Sequence, residues 1–311
     1  MISLISPSEV KQPTSIAIGS FDGLHEGHRR LIKTVVEKHQ HTPTVASFWP
    51  HPREILYKET RLRLDLPEEK LPLLERLGIE QLVLIPFTND LSKLSAENFV
   101  KKILKDQLKA KHISVGANFR FGFKRQGDIN TMRNITKELN MQLEVVSVLK
   151  DNEGRISSSR VRKLLQEGDL NGASKLLNRH YQFTGKVVKG KGLGKDLGFP
   201  TANLEIDGRK FLPGVGVYAA WATINNSSEK SAAVMNLGKQ PTIDPLSPSA
   251  VEVHLINKNI NLYGSQLSIQ PVYKIRSQKT FSNLNELSEQ ISSDRDLSLK
   301  ILMSKDKGVK I

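Results

Sequence analysis

The sequence predicts an α/β half built on a doubly wound parallel sheet, followed by an antiparallel β half and a late helix. Three observations carry this expectation. Up to about residue 180, short apolar runs alternate with amphipathic stretches, the rhythm of βαβ units. From Tyr181 onward, strand patterns dominate and Gly- and Pro-rich turns separate them, which reads as a barrel or a sandwich. A polar helix pattern over 283–303 comes last.

The first strand is expected at 15–18, where Ser-Ile-Ala-Ile forms an apolar run. Strands are expected again at 44–48, 81–86, 113–116 and 142–148, with helices between them at 29–39, 68–77, 96–108 and 129–139. In such sheets ligands bind beyond the carboxyl ends of the strands. A further helix pattern begins at Ile156-Ser157-Ser158-Ser159-Arg160 and continues to Gln166. In the second half, strands are expected at 183–188, 216–224, 232–237, 251–256 and 267–275. The change of rhythm puts the boundary near 178–181, giving domains 1–179 and 180–311.

Composition bounds the function. A chain of 311 residues with 38% hydrophobic content can bury a substantial core and suggests two domains. There is no cysteine, so disulfides and thiolate chemistry are excluded. No apolar run approaches the ~20 residues of a membrane helix. The opening MISLISPSEVKQ has neither a charged n-region nor a long h-region, so no secretory signal is expected. Lys and Arg number 46 against 32 Asp and Glu, a formal charge of +14. An anionic partner is one reading. The basic residues are scattered, however, and aromatics make up only 6%. The expectation is a soluble cytoplasmic protein with local phosphate sites, without a nucleic-acid or membrane partner; its oligomeric state is left open.

One turn stands out. Gly19-Ser20-Phe21-Asp22-Gly23-Leu24-His25-Glu26-Gly27-His28 links the first strand to the first helix. A helix N-terminus presents free N–H groups and favours anions. Glycines let that backbone approach a polyphosphate, and imidazoles add donors for charge developing on phosphate oxygens. The same spacing could be half a metal site, although no suitably placed His or Cys partners are evident, or it could be an ordinary loop. His25-Glu26-Gly27-His28 resembles the HxGH signature of the nucleotidyltransferase superfamily, whose members attack the α-phosphate of ATP and release pyrophosphate. Ile156-Ser157-Ser158-Ser159-Arg160-Val161-Arg162 could be an N-cap with surface arginines, or hydroxyls and charge for a triphosphate; beside HxGH it resembles that superfamily's second motif. Met303-Ser304-Lys305 has the look of a synthetase loop but lies far outside the α/β half, and no role is assigned to it.

Five other stretches carry candidate chemistry. Ser47-Phe48-Trp49-Pro50-His51-Pro52 follows a strand and is stiffened by its prolines. In Val115-Gly116-Ala117-Asn118-Phe119-Arg120-Phe121-Gly122, the Phe119 and Phe121 rings could sandwich a flat ring or pack in the core, and Asn118 could bond a ring edge or a phosphate. In Gly190-Lys191-Gly192-Leu193-Gly194-Lys195, glycines and lysines suit a loop over phosphates or a flexible hairpin. Thr201 and Asn203 are two apart, so an extended segment puts both on one side, suitable for Mg²⁺ beside a nucleotide. In Val251-Glu252-Val253-His254-Leu255 the alternation puts Glu252 and His254 on one face. That carboxylate could be a general base or part of an exposed strand face.

Assembled, the chain resembles the bacterial bifunctional riboflavin kinase/FAD synthetase family. The resemblance rests on GSFDGLHEGH, SFWPHP, VGANFRFG and ISSSRVR in the first half. In the second it rests on GKGLGKDLGFPTANL, LPGVGVYA, MNLGKQPT, VEVHL, NLYG and the IR-x₄-F segment ending at Phe281. It implies a Rossmann-like nucleotidyltransferase domain and an antiparallel β-barrel kinase domain. It also implies two Mg²⁺-dependent reactions: ATP phosphorylates riboflavin to FMN, and a second ATP adenylylates FMN to FAD. By this resemblance Glu252 is the kinase base, Thr201 and Asn203 hold the metal, and Lys191, Gly192 and Gly194 lie in its phosphate loop. His25 and His28 steady the α-phosphate; Gly19, Phe21, Asp22, Gly27, Ser158, Arg160 and Arg162 belong to the nucleotide site. Asn118, Phe119 and Arg120 lie near the flavin. Two departures accompany the match: Asn118 stands where some members carry Asp, and Lys195-Asp196 replaces a pair that usually contains Arg.

Overall fold

The computed structural model describes residues 2–37, 40–60, 62–190, 198–238 and 251–306. The chain forms two compact units, Met1–Ser158 and Ser159–Ile311.

The first unit is a six-stranded parallel sheet. Its strands are β1 (Ser3–Ile5), β2 (Thr14–Ile18), β3 (Thr42–Trp49), β4 (Gln81–Pro86), β5 (Ala110–Gly116) and β6 (Gln142–Val146), in the order β1-β4-β3-β2-β5-β6. Strand β2 is buried at every position, as expected of a strand covered on both faces. Successive residues feed opposite cores: Ile16 and Ile18 join one cluster and Ala17 the other. Helices α1 (Glu26–Glu37), α2 (Pro52–Tyr57), α3 (Pro67–Glu75), α4 (Asn89–Ser92), α5 (Ala96–Asn98) and α6 (Ile129–Glu138) connect the strands, and α5 runs into a π-helical segment, Phe99–Gln107. Leu31, Ile32 and Val35 of α1 and Leu74 of α3 cover one face. Phe99, Val100, Ile103 and Leu104 of the π-helical segment, with Met132 and Ile135 of α6, cover the other. The sheet is therefore doubly wound, as expected. From β2 the chain runs outward one way through β3 and β4, and β5 lies on β2's other side. The crevice between the ends of β2 and β5 is the switch point where ligands of such sheets bind. A hairpin of β7 (Lys150–Asp151) and β8 (Gly154–Arg155) follows β6.

Helix α7 (Ser158–Glu167) starts on the last residue of the first unit, and the rest of it, with α8 (Leu170–Leu177), opens the second. Six antiparallel strands then close a barrel: β9 (Phe183–Val188), β10 (Ala202–Glu205), β11 (Gly216–Ile224), β12 (Lys230–Leu237), β13 (Val251–Leu255) and β14 (Gln266–Arg276), in the order β10-β13-β12-β11-β14-β9. Closure removes the sheet edges. The last helix, α9 (Leu284–Asp306), covers part of the barrel's outside; Leu299 and Leu302 pack over Val217, Ala219 and Val272. An ion pair anchors it: Arg276 Nη2 donates to Asp294 Oδ2 at 2.8 Å, with both side chains mostly buried. Because burial leaves each charge dependent on the other, removing one partner is worse than replacing both.

Seven of these elements were not expected, α4 and the two strands of the β7–β8 hairpin among them. β1 is a three-residue edge strand, too short to show a period. β10 takes up the segment expected only to be extended. α2 is N-capped by His51, whose Nδ1 accepts from Arg53 N at 3.1 Å. α8 is N-capped by Asp169, whose Oδ1 accepts from Gly172 N at 2.8 Å.

Candidate active sites

The first candidate site lies at the switch point. Between β2 and α1 the chain turns through residues 19–24, and His25 immediately precedes the helix. The imidazoles of His25 and His28 stack with ring centroids 3.7 Å apart and planes 15° apart. The main chain sets this spacing, because His28 N donates to His25 O at 2.8 Å. Gly27 gives the His25 ring room: a Cβ there would stand 3.3 Å from it, so the ring would have to shift slightly. The Nδ1 atoms of both histidines are buried and have no hydrogen-bond partner. Unsatisfied donors or acceptors aimed at a helix N-terminus fit an anionic ligand.

Charge surrounds the pair. Burial, and then the Arg155 guanidinium, push His25 down to about 4, against the pull of Asp22. Burial, His25, Lys70 and Arg155 hold His28 well below the ordinary imidazole range. Both rings are therefore neutral at pH 7. The sign of the resulting pH dependence follows from proton binding. Between about pH 6.5 and 4 the unfolded chain binds the His25 proton and the folded chain does not, so stability falls with falling pH across that window. The expected loss for His25 alone is about 3 kcal/mol between pH 7 and pH 4. Denaturant unfolding at several pH values checks this: His25→Gln should flatten the acid side of the stability curve, and parallel curves would contradict it.

Arg155 was not anticipated in the sequence. It projects from the β7–β8 hairpin, and Asn118, in the loop after β5, orients it: with its amide turned to satisfy both groups, Asn118 Oδ1 accepts from Arg155 Nη2 at 2.9 Å and Nη1 at 3.1 Å. Of the remaining candidates, Phe21 and Asp22 are built into the support of the turn. Phe21 belongs to the core, and its ring lies 5.3 Å from that of His28. Asp22 is buried, its Oδ1 accepting from Leu64 N at 2.8 Å. Ser158 Oγ donates to Asp22 O at 2.8 Å, tying the start of α7 to the turn. Of the two readings left open for Phe119 and Phe121, ring sandwich or core packing, the packing of the rings favours the core. Phe119 and Phe121 stack on each other at 5.7 Å, whereas an inserted ring needs roughly 7 Å, two van der Waals gaps. Phe121 is core, Phe119 is half-buried, and Arg120 pairs with Asp128 at 3.5 Å. Arg160 and Arg162 lie on α7 in the second unit, where the Arg162 guanidinium sits 5.8 Å from the Phe211 ring centroid.

The second candidate site is on the outside of the barrel. Antiparallel register puts Asn203 of β10 and Asn236 of β12 directly opposite Glu252 of β13, one on each side. Asn236 Nδ2 donates to Glu252 Oε2 at 3.3 Å, and Gln278 Nε2 donates to Asn236 Oδ1 at 3.1 Å. That second bond fixes which end of the Asn236 amide faces the carboxylate. Gly190 leaves room for Asn203, since a Cβ there would lie 1.9 Å from Asn203 Nδ2. His254 Nδ1 donates to Pro200 O at 2.9 Å and holds the segment leading to Thr201 against β13. Beside Thr201 opens a cavity of about 210 Å³, walled by Val187, Val253, Leu255 and Ile260, with Tyr263 at its rim. Thr201 is exposed, and Asn203 and Glu252 are half-buried. These hard oxygen donors suit Mg²⁺, which keeps several waters and phosphate oxygens among its ligands. No cluster of three or more His, Asp or Glu side chains able to hold an ion occurs among the described residues. Lys191, Gly192 and Gly194 lie outside the described residues, as does most of the NLGKQPT segment.

The FAD synthetase family profile matches residues 8–160, and the riboflavin kinase profile matches residues 177–302. A bifunctional riboflavin kinase/FMN adenylyltransferase of Buchnera aphidicola is 35% identical over 94% of this chain and 95% of its own. The chain belongs to this bifunctional family. The Escherichia coli member is 33% identical over 90% of each chain, and the Bacillus subtilis member is 32% identical over 94% of this chain and 93% of its own. A crystal structure of a Streptococcus pneumoniae protein described as a macrolide-efflux protein superposes with a TM-score of 0.83 at 28% identity, covering 96% of this chain and 98% of that one. Among the described residues of this chain, no helix is long and apolar enough to cross a membrane.

Proposed function

We infer that the chain makes FAD from riboflavin in two ATP-dependent steps, one on each unit. The observation that carries this reading is the pairing of two differently built sites. One offers imidazole donors and fixed positive charge at a helix start; the other offers a carboxylate beside neutral oxygen donors.

In the barrel, Glu252 accepts the proton of the riboflavin 5′-hydroxyl as that oxygen attacks the γ-phosphorus of ATP, and ADP leaves. The Asn203–Glu252–Asn236 row aligns the carboxylate. Thr201 and Asn203 would hold the phosphates and their Mg²⁺, which when bound would supply charge neutralisation on the transferred group. Lys191, Gly192 and Gly194 form the phosphate loop. The cavity beside Thr201, with its mixed polar and apolar lining, takes a flat ring of the nucleotide.

In the α/β unit, an oxygen of the FMN phosphate attacks the α-phosphorus of a second ATP, and the bond to pyrophosphate breaks. The nucleophile is already an anion, so no base is needed; positioning and charge stabilisation do the work. His25 and His28 donate to the α-phosphate oxygens, and Arg155 faces the same anion. Gly19, Phe21, Asp22 and Gly27 shape the turn from behind, while Ser158, Arg160 and Arg162 belong to the nucleotide site. Asn118, Phe119 and Arg120 border the flavin. We place the functional boundary at 179/180, just after α8 and near the start of the region matched by the riboflavin kinase profile. ATP-consuming synthesis of this kind belongs in the cytoplasm, the compartment we propose.

The test is a time course with riboflavin, ATP and Mg²⁺, the flavins being separated by chromatography. FMN should rise first and FAD follow. FMN alone would confine the chemistry to the barrel, and no product from folded protein would overturn the reading.

A further inference from the structure

We propose that Lys70 is a positioning residue for adenylyl transfer: its buried ammonium straps the Ser20 carbonyl and holds the strained turn that aims His25 and His28. This rests on the reading of the histidine pair given above.

The turn needs holding. Phe21, Gly23 and Leu24 have φ of 45°, 88° and 44°, a region costly for Phe and Leu. The surroundings grip it at Ser20 and Asp22. Ser158 Oγ donates to Asp22 O, and Asp22 Oδ1 accepts from Leu64 N. At the other grip, the Ser20 carbonyl accepts from Ser47 Oγ at 3.2 Å and from Lys70 Nζ at 3.4 Å. Lys70 reaches it from the buried stripe of α3, between Pro67 and Leu74, a position that leucine would fill for packing alone. The side chain is 2% exposed. Burial of a lysine disfavours its charge, and here burial and Arg63 push its pKa down while Asp22, Asp65 and Glu69 push it up. An ionisable group kept under such conditions directly behind a catalytic turn marks a functional position.

The ammonium also acts on the pair. The groups facing it are Lys70 from α3, Arg155 from β8 and Asp22 from the turn. Lys70 opposes protonation of His28, so its removal should let His28 take up a proton at higher pH.

The experiment measures FAD formation from supplied FMN and ATP, and the histidine titrations by NMR, in Lys70→Met and Lys70→Gln full-length proteins. Met removes both strap and charge; Gln keeps a donor that can reach Ser20. For Lys70→Met, kcat for FAD formation should fall by about tenfold or more, with a smaller change in KM for ATP, since misplaced groups lose orientation rather than binding. Lys70→Gln should recover part of that loss. His28 should titrate at higher pH in both, while FMN formation from riboflavin stays unchanged. If Lys70→Met melts too early to assay, the Gln variant decides by the same readouts. Wild-type kcat and an unmoved His28 titration in a folded variant would overturn the proposal. Should His28→Ala leave FAD formation intact, the histidine reading itself fails, whatever Lys70 does.

Discussion

Replacing His28 by alanine should lower FAD formation from FMN and ATP by about 10²–10³-fold, the usual loss of one donor to a developing charge. The geometry says why the loss should fall on catalysis rather than folding. The ring's Nδ1 has no partner in the folded chain, so alanine removes a group that the resting structure leaves unsatisfied. Its packing partners, Phe21 and His25, remain, and the melting temperature should change little. His28→Asn keeps an N–H donor at a similar reach and should lie between alanine and wild type. FMN formation should be unaffected in both, because its site is on the barrel. Steady-state rates for each reaction, measured separately, check this. An alanine variant that still makes FAD at the wild-type rate would remove the histidine pair from the mechanism.

The second large effect is expected at Glu252. Glu252→Gln should lower FMN formation by about 10²–10⁴-fold, the range for a lost general base. Glutamine keeps the size, and its carbonyl oxygen can still accept from Asn236 Nδ2, the bond seen at 3.3 Å. The row across β10, β13 and β12 should therefore survive while the proton acceptor is lost. The loss should appear in kcat, with KM for riboflavin little changed. FAD formation from supplied FMN should remain at the wild-type level. Direct assay of ADP release with riboflavin as acceptor measures the effect.

Much of this architecture was legible in the residues. The runs at 183–188 and 216–224 became β9 and β11 with unchanged bounds, because β9 alternates and β11 is one apolar run bounded by turn residues. The histidine turn was legible for a related reason: strand, glycines and helix are contiguous in sequence. Tertiary partners were not. Arg155 sits in a short polar hairpin that reads as a loop, and only the fold brings it to Asn118. The alternation in Val251-Glu252-Val253 gave the face of Glu252, but cross-strand register, which seats Asn203 and Asn236 beside it, is not written in one strand. The residues left Phe119 and Phe121 open between a ring site and the core, because an i, i+2 pair on one side can do either, and only the fold shows them stacked on each other. Lys70 carried a signal that went unused: a lysine on the apolar stripe of α3.

The central claim is that two independent sites on one chain perform successive reactions. The most direct test is a crossed assay of His28→Ala and Glu252→Gln, each given riboflavin or FMN with ATP and Mg²⁺. The account predicts that the first variant makes FMN but no FAD, and that the second makes FAD only when FMN is supplied. Two folded variants that each lose both reactions would contradict it.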